Sequence, residues 1–202
     1  MVGRIERGFP MADNLAYQYD YEEEYHSEML DGNIVLMAPR PATNHLRVLG
    51  NIFAAFSAYL RGKRCEAFPD GADVFLTEKD RVVPDVMIVC DKNKIQPDGI
   101  HGAPDLIVEV LSRRTEKRDR GYKRDLYERC GVREYWIVNT EMRSVEVYLL
   151  KNGKLILDDV YQIFPEYEKL QPEEKETYKD AVPVSLYDNF SVSLDDIFYN
   201  VF

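Results

Sequence analysis

The chain has little cysteine and no long apolar run. Its three cysteines, Cys65, Cys90 and Cys130, are too far apart for a CxxC zinc site, and their odd number argues against a disulfide framework. We therefore expect three reduced thiols packed as small hydrophobic side chains. No stretch approaches the ~18 consecutive apolar residues of a membrane span, and the N-terminus lacks the apolar segment of a secretion signal. The sequence thus predicts a cytoplasmic protein without membrane association.

Basic residues are also in deficit. The chain has 26 Lys and Arg against 36 Asp and Glu, a net charge of −10, which argues against a protein that coats nucleic acid non-specifically. The charge is uneven, because the segment Arg113–Arg129 (RRTEKRDRGYKRDLYER) holds eight basic and four acidic residues. This segment is suited either to contact with a polyanion or to a solvated, salt-bridged helix face. Charge alone favours the second.

The apolar pattern predicts one domain of 202 residues built on a mixed sheet. "HLRVLGNIFAAFSAYLRGK" has the three-and-four spacing of a helix, and "TEKRDRGYKRDLYERCG" predicts a second helix. The runs "CEAFPDGADVFLT", "RVVPDVMIVC", "PDLIVEVLS", "REYWIVN" and "SVEVYLL" predict strands. The order helix, three strands, helix, two strands indicates an α/β fold with helices on the faces of a mixed sheet. We expect the core at about 31–150, with 1–30 and 151–202 as peripheral additions.

Two Pro-Asp dipeptides precede neighbouring apolar runs, and the two aspartates have different prospects as metal ligands. Asp105 and Glu109 lie four residues apart in one predicted strand, which separates them by roughly 13 Å at about 3.3 Å per residue. A single cation with oxygen ligands at about 2.0–2.6 Å cannot be shared directly across that gap. We therefore expect Asp105 to be a residue that leads into the strand.

Asp85 is different, because it lies early in the preceding apolar strand, where a carboxylate is costly unless it is compensated. If the two strands are neighbours, Asp85 and Glu109 lie nearly opposite, about 5 Å apart at Cβ. Two carboxylates that close repel each other, which favours a cation between them. The alternative is that each acid is buried against an arginine, a lysine or a backbone amide.

These residues resemble a known pattern: "PD" in one strand, "EVL" in the next, then a helix that carries Lys123. The stretches "MAPRPATNHLRVLGNIF", "VVPDVMIVCDKNKI", "GAPDLIVEVLSRRTEKRDRGYK" and "YERCGVREYWIVN" extend the pattern over about residues 34 to 150. On these motifs the chain resembles the PD-(D/E)XK nuclease superfamily and, within it, the Uma-two family of predicted restriction endonucleases. The resemblance implies a restriction-endonuclease-like αβββαβ core, a divalent metal (Mg²⁺ or Mn²⁺) and phosphodiester hydrolysis.

Carried over by residue, the resemblance implies that Asp85, Glu109 and the backbone carbonyl of Val110 hold the metal. The motif lysine should stand at position 111, but this chain has Leu111 there. Lys123 is the natural replacement, and it shares a helix face with two neighbours at four-residue spacing, Asp119 and Tyr127.

Other residues complete the predicted site. His45 faces inward from the first helix, either as a core histidine or, as the resemblance implies, beside the metal as a catalytic residue. Asp73 and Asp119 are possible additional acids. The residues expected to bind phosphate are Arg113, Arg114, Lys117 and Arg118.

The sequence therefore predicts a Mg²⁺- or Mn²⁺-dependent endonuclease that acts on nucleic acid, with DNA as the expected substrate, and that forms a homodimer. Aromatic residues near the C-terminus suit either a dimer interface or a cap on the domain's own core. Two alternatives remain: a degenerate nuclease fold that binds nucleic acid or a protein partner without cleavage, and a scaffold in which the carboxylates are structural.

Overall fold

The structure is a computed structural model that describes residues 27–37, 41–164 and 178–202. Its strands are β1 (Ser27–Leu30), β2 (Asn33–Leu36), β3 (Glu66–Pro69), β4 (Val74–Thr77), β5 (Asp80–Val82), β6 (Val86–Val89), β7 (Ile95–Gln96), β8 (Gly99–His101), β9 (Leu106–Val110), β10 (Glu134–Asn139), β11 (Ser144–Lys151), β12 (Lys154–Gln162), β13 (Ala181–Pro183) and β14 (Ser191–Ser193). Its helices are α1 (Thr43–Leu60), α2 (Glu116–Arg118), a π-helical turn (Asp119–Lys123), α3 (Arg124–Cys130) and α4 (Leu194–Ile197), with a 3₁₀ turn at Lys92–Lys94.

The main sheet has the strand order β12-β11-β10-β9-β6-β3. Strands β9 and β10 are parallel, because a helical crossover joins them, and the other neighbouring strands are antiparallel. The predicted mixed sheet with flanking helices is confirmed. In chain order the central elements are α1, β3, β6, β9, the helical crossover, β10 and β11, as the sequence indicated.

Each face of the main sheet is covered, so its central strands are apolar on both sides. On one face, Phe56 of α1 packs edge-on against Trp136 of β10, with ring centroids 5.5 Å apart. On the other face, Tyr127 of α3 packs edge-on against Tyr135, at 5.1 Å. Because side chains alternate along a strand, Glu109 points to this second face, under the crossover helix.

A second sheet, with the order β2-β1-β5-β4-β8-β7, lies beside the first. Its β1–β2 hairpin turns at Asp31-Gly32, where both residues have the positive φ (49° and 75°) that a tight primed turn requires. Strand β1 also pairs with β5, which leads into β6. The hairpin is thereby held close to β6, the strand that the first Pro-Asp pair, Pro84-Asp85, precedes. Residues 1–26 of the predicted peripheral segment lie outside the described residues.

The prediction of three reduced thiols is wrong for two of them. Cys65 and Cys90 form a disulfide, and Cys130 is free. The physical reason is the strand register: Glu66 pairs with Val89, so the residues just beyond them, Cys65 and Cys90, stand opposite each other. The spacing of cysteines along the chain contained no signal of this pairing.

Two of the C-terminal aromatic residues cap the domain's own core, which is one of the two roles that the sequence left open. Phe190 and Phe198 are buried in the core beneath α1, where Phe190 stacks on Tyr59 with ring centroids 3.8 Å apart. Tyr199 and Phe202 are exposed. Among the helices of the described residues, none has the length and apolar character needed to cross a membrane.

Candidate active site

Asp85 lies immediately before β6 and is held at both carboxylate oxygens. Its Oδ2 accepts a hydrogen bond from the Val110 amide at 2.6 Å, and its Oδ1 is 2.9 Å from His45 Nε2. The β6–β9 register pairs Val86 with Val108, and one step further it brings Asp85 opposite Glu109. The structure therefore brings together the two acids that the sequence singled out. Val110 contacts Asp85 through its N–H, while the predicted role of its carbonyl stays a prediction.

Glu109 is buried on the face of the sheet that the crossover helix covers. Its Oε1 accepts hydrogen bonds from Lys123 Nζ at 2.9 Å and from Tyr127 Oη at 2.6 Å. Leu111, at the position of the motif lysine, packs into the apolar core of the same face. The ammonium beside Glu109 is thus supplied by the helix instead of the strand.

Lys123 is surrounded by acids. Its Nζ lies 2.7 Å from Glu28 Oε1, 2.9 Å from Glu109 Oε1 and 3.8 Å from Asp119 Oδ1. Burial alone would lower the pKa of Lys123, but the charges of Glu109, Glu28 and Asp119 raise it above its ordinary value. Lys123 is therefore an ammonium at every physiological pH.

The helical crossover is irregular at this point, because residues Asp119–Lys123 form a π-helical turn. Such turns are rare, occur mostly as single-turn bulges inside α-helices and are frequent at functional sites. The Asp119 carbonyl accepts a hydrogen bond from Tyr135 Oη at 3.1 Å. Asp119 and Lys123 both face the sheet and are buried, as the four-residue spacing predicted.

Glu28 is the site residue that the sequence did not indicate. It comes from β1, in the segment predicted to be peripheral, yet it is only 1% exposed. Besides Lys123, it accepts hydrogen bonds from the Val83 amide and from Arg118 Nη1, each at 3.2 Å. An acid at an inward position of a hairpin strand was the one available signal, and it does not reveal a partner so distant in sequence.

Asp73 and the basic residues predicted to bind phosphate lie in different surroundings. Asp73 is bonded to the guanidinium of Arg81, and no contact joins it to Lys123 or Glu109 within the described residues. Arg118 forms an ion pair with Glu28, so its guanidinium lies beside the acids that surround Lys123. The other three residues predicted to bind phosphate are exposed: Arg113, Arg114 and Lys117. Arg113 Nη2 lies 3.5 Å from Glu141 Oε1.

Asp105 confirms the other Pro-Asp prediction. It lies immediately before β9, and its Oδ2 accepts a hydrogen bond from the Cys90 amide at 2.8 Å. Arg133 lies 3.6 Å from its other oxygen. Asp105 is thus a residue that closes the end of a strand pair, at the opposite end from Asp85.

The acid cluster carries excess negative charge. Four carboxylates, Glu28, Asp85, Glu109 and Asp119, lie together with the cationic side chains of Arg118 and Lys123 and with His45, which adds a third positive charge when it is protonated. The acids therefore outnumber the positive charges by at least one. Burial raises the pKa of Glu109 and of Asp119, with Lys123 opposing the shift in both. A proton or a further cation must offset this charge.

The donor atoms left over in the cluster suit a hard divalent cation. Asp119 Oδ1 is buried without a hydrogen-bond partner, and both hydrogen bonds to Glu109 fall on Oε1, which leaves its Oε2 without a donor among the described residues. Carboxylate oxygens are the preferred ligands of Mg²⁺ and Mn²⁺. In the described ranges, no three acid, histidine or cysteine side chains already surround one point as metal ligands. The residues fit a divalent cation in charge and donor type, and binding requires side-chain movement.

Comparison with known proteins places the chain in a family. The fold is similar to that of a crystal structure from Anabaena variabilis ATCC 29413 described as "a putative nuclease belonging to DUF820", with a TM-score of 0.65 and 19% identity over 87% of this chain and 90% of that one. Residues 13–179 match the Uma2 family, described as "Putative restriction endonuclease". The chain therefore belongs to the Uma2 (Uma-two) family. It is also 27% identical to "Uncharacterized protein slr1290" of Synechocystis sp. strain PCC 6803, over 65% of this chain and 70% of that protein.

Proposed function

We propose that this chain is a metal-dependent endonuclease that hydrolyses phosphodiester bonds in DNA. Membership of the Uma2 family and the name of the structural neighbour support a nuclease. The observation that carries the proposal is that Asp85 lies opposite Glu109, which bonds to the Lys123 ammonium, in a cluster whose acids outnumber its cationic side chains. Buried charges that only support a fold are normally paired.

Asp85, Glu109 and the Val110 carbonyl would hold Mg²⁺ or Mn²⁺, with Asp119 as a possible additional acid. A bound divalent cation would polarise the scissile phosphate and lower the pKa of a bound water molecule. The acids would otherwise repel a phosphate backbone, so the cation also makes substrate binding favourable.

In this proposal Lys123 supplies a positive charge to the reaction and does not act as a base. Its pKa is raised by the surrounding acids, so it has no free lone pair with which to act as a general base. A fixed ammonium beside the reacting phosphate stabilises the negative charge that develops on the phosphoryl oxygens. A lysine at position 111 would otherwise stabilise this charge.

His45 orients the metal-holding acid. Its Nε2 is 2.9 Å from Asp85 Oδ1, while the Val110 amide fixes Oδ2. Hydrogen bonds of this kind hold a carboxylate in place and tune its affinity for a metal. We assign His45 to the positioning of Asp85, in preference to direct contact with the phosphate.

The substrate is DNA in this proposal, and the exposed Arg113, Arg114 and Lys117 hold its backbone where the chain leaves β9. Basic side chains beside an acidic site attract phosphate groups without reading base sequence. Action as a homodimer and a cytoplasmic location remain predictions from the sequence.

One observation favours the alternative, a nuclease fold that binds nucleic acid without cleavage. Lys123 is 4% exposed in its side chain and is bonded to Glu28 as well as to Glu109. An ammonium enclosed in this way reaches a phosphate only if the cluster opens. Binding of DNA in EDTA, with no cleavage in Mn²⁺, would select this alternative.

The test is cleavage of supercoiled and single-stranded DNA in Mg²⁺ and in Mn²⁺, with an EDTA control and the Glu109→Ala variant. Glu134→Gln is the matched control, because Glu134 is also buried in the main sheet but bonds to Trp136 and Ser185 on the opposite face. We expect metal-dependent cleavage by the parent and Glu134→Gln, and none by Glu109→Ala. Equal cleavage by Glu109→Ala would show that another site, or a contaminant, is responsible.

A further inference from the structure

Glu28 joins three parts of the candidate site through one carboxylate. Its Oε1 lies 2.7 Å from Lys123 Nζ and also accepts the Val83 amide at 3.2 Å. Its Oε2 accepts Arg118 Nη1 at 3.2 Å. Val83 is two residues before Asp85, so Glu28 ties the Lys123 ammonium to the segment that sets the position of Asp85.

We propose that Glu28 is a positioning residue that fixes the Lys123 ammonium between itself and Glu109. This inference rests on the proposed nuclease function and adds to it a residue from the β1–β2 hairpin, which lies outside the main sheet. A lysine side chain has four rotatable bonds and a compact charge, so one carboxylate does not define where its ammonium lies. Two carboxylate oxygens on different strands, Glu28 Oε1 at 2.7 Å and Glu109 Oε1 at 2.9 Å, together fix the position of the ammonium.

The geometry separates Glu28 from an ordinary buried acid of the same fold. Glu134 is equally buried, but its three short hydrogen bonds come from the neutral donors Trp136 Nε1, the Ser185 amide and Ser185 Oγ. Glu28 is bonded to two cationic side chains that both belong to the helical crossover, Arg118 and Lys123. Removing its charge therefore alters the placement of cations at the site, which removing the charge of Glu134 does not.

The position of Glu28 also limits how Lys123 can respond to a cation. A divalent ion on an oxygen of Glu109 would weaken the attraction between that acid and the ammonium. Glu28, anchored by the Val83 amide, would then still hold the ammonium at the edge of the site. Without Glu28, the ammonium and the divalent ion would compete for Glu109, and the acid left beside the ammonium would be the more distant Asp119, at 3.8 Å.

The experiment uses the full chain and the variants Glu28→Gln and Glu134→Gln, with two readouts. The first is the NMR signal of the Lys123 ammonium in protein labelled with ¹⁵N-lysine, assigned by its loss in Lys123→Met. The second is the separation of kcat from KM in plasmid cleavage with Mn²⁺. We expect Glu28→Gln to shift the ammonium signal and to lower kcat by about 10- to 100-fold at nearly unchanged KM. Glu134→Gln should leave both at parental values.

The two readouts keep the inference separate from the proposed function. An unshifted ammonium signal in folded Glu28→Gln, or a parental kcat, overturns the positioning role while a cleaving parent leaves the nuclease proposal intact. A shifted signal in a protein that never cleaves DNA supports the placement of Lys123 by Glu28 and overturns the nuclease proposal. If Glu28→Gln does not fold, Glu28→Asp keeps the charge but withdraws it by one methylene. A shifted signal with reduced kcat then supports the role, and parental values contradict it.

Discussion

Asp85 and Asp105 close opposite ends of the same antiparallel strand pair by the same hydrogen bond. Asp85 Oδ2 accepts the Val110 amide at 2.6 Å, and Asp105 Oδ2 accepts the Cys90 amide at 2.8 Å. Each aspartate follows a proline and precedes its strand, so the two are alike in their local sequence and in the backbone amide that each one accepts. They differ in their other neighbours: Asp85 meets His45, and Asp105 meets Arg133. Only Asp85 shares its end of the strands with Glu109.

This equivalence allows a matched pair of substitutions. Asp85→Asn and Asp105→Asn each remove a charged acceptor from one strand end, so each should lower the free energy of unfolding by about 1 to 3 kcal/mol. Urea unfolding at neutral pH measures this. In plasmid cleavage with Mn²⁺ we expect Asp105→Asn to remain active and Asp85→Asn to be inactive. Full activity in Asp85→Asn would remove it from the site.

Tyr127 should stabilise the buried Glu109 carboxylate. Its Oη donates to Glu109 Oε1 at 2.6 Å, and both groups are buried, so Tyr127→Phe leaves an acceptor short of one donor. We expect a loss of about 1 to 3 kcal/mol in unfolding free energy. Tyr148→Phe is the control, because Tyr148 Oη bonds to a less buried acid, Glu146, at 2.9 Å. A Tyr127→Phe variant no less stable than Tyr148→Phe would contradict the inferred bond.

The His45–Asp85 pair predicts a pH-dependent stability. Burial alone would lower the pKa of His45, but the hydrogen bond and charge of Asp85 raise it above the ordinary value. A raised pKa in the folded state means that protonation favours folding. The contribution is therefore complete below about pH 6.5 and is lost as the pH rises through the higher pKa of folded His45.

The measurement is the difference in melting temperature between the parent and His45→Gln at pH 5.5 and pH 8.5. We expect the variant to be less stable than the parent at pH 5.5 by about 1 to 3 kcal/mol, which lowers its melting temperature, and to show a smaller deficit at pH 8.5. His101→Gln, at an exposed histidine beside Asp98, should show little difference at either pH. A His45→Gln deficit that is larger at pH 8.5 would have the wrong sign.

The parts of the fold and site set by local pattern could be predicted from the sequence. Two apolar strands preceded by Pro-Asp gave the pairing that brings Asp85 opposite Glu109, and helical spacing placed Asp119 and Lys123 on one face. The contact of Glu28 with Lys123 could not be predicted, because it depends on how the second sheet docks beside the first. The Cys65–Cys90 disulfide was missed for a similar reason, since the β3–β6 register creates it.

The short strands β7 and β8 were also missed. Their residues alternate with turns and include few apolar side chains, so the segment reads as a polar loop. What makes it extended is pairing: β8 lies parallel to β4, with Ile100 beside Val74. The π-helical turn has no sequence signature either, since its residues also suit an ordinary helix.

The most direct test of the account is calorimetric titration of Mn²⁺ into the parent, Asp85→Asn and Asp105→Asn. We expect one Mn²⁺ site per chain, retained in Asp105→Asn and weakened by about 10- to 100-fold or more in Asp85→Asn. No binding by the folded parent, or equal binding by all three proteins, would contradict the assignment of Asp85 and Glu109 as the acids that hold the metal.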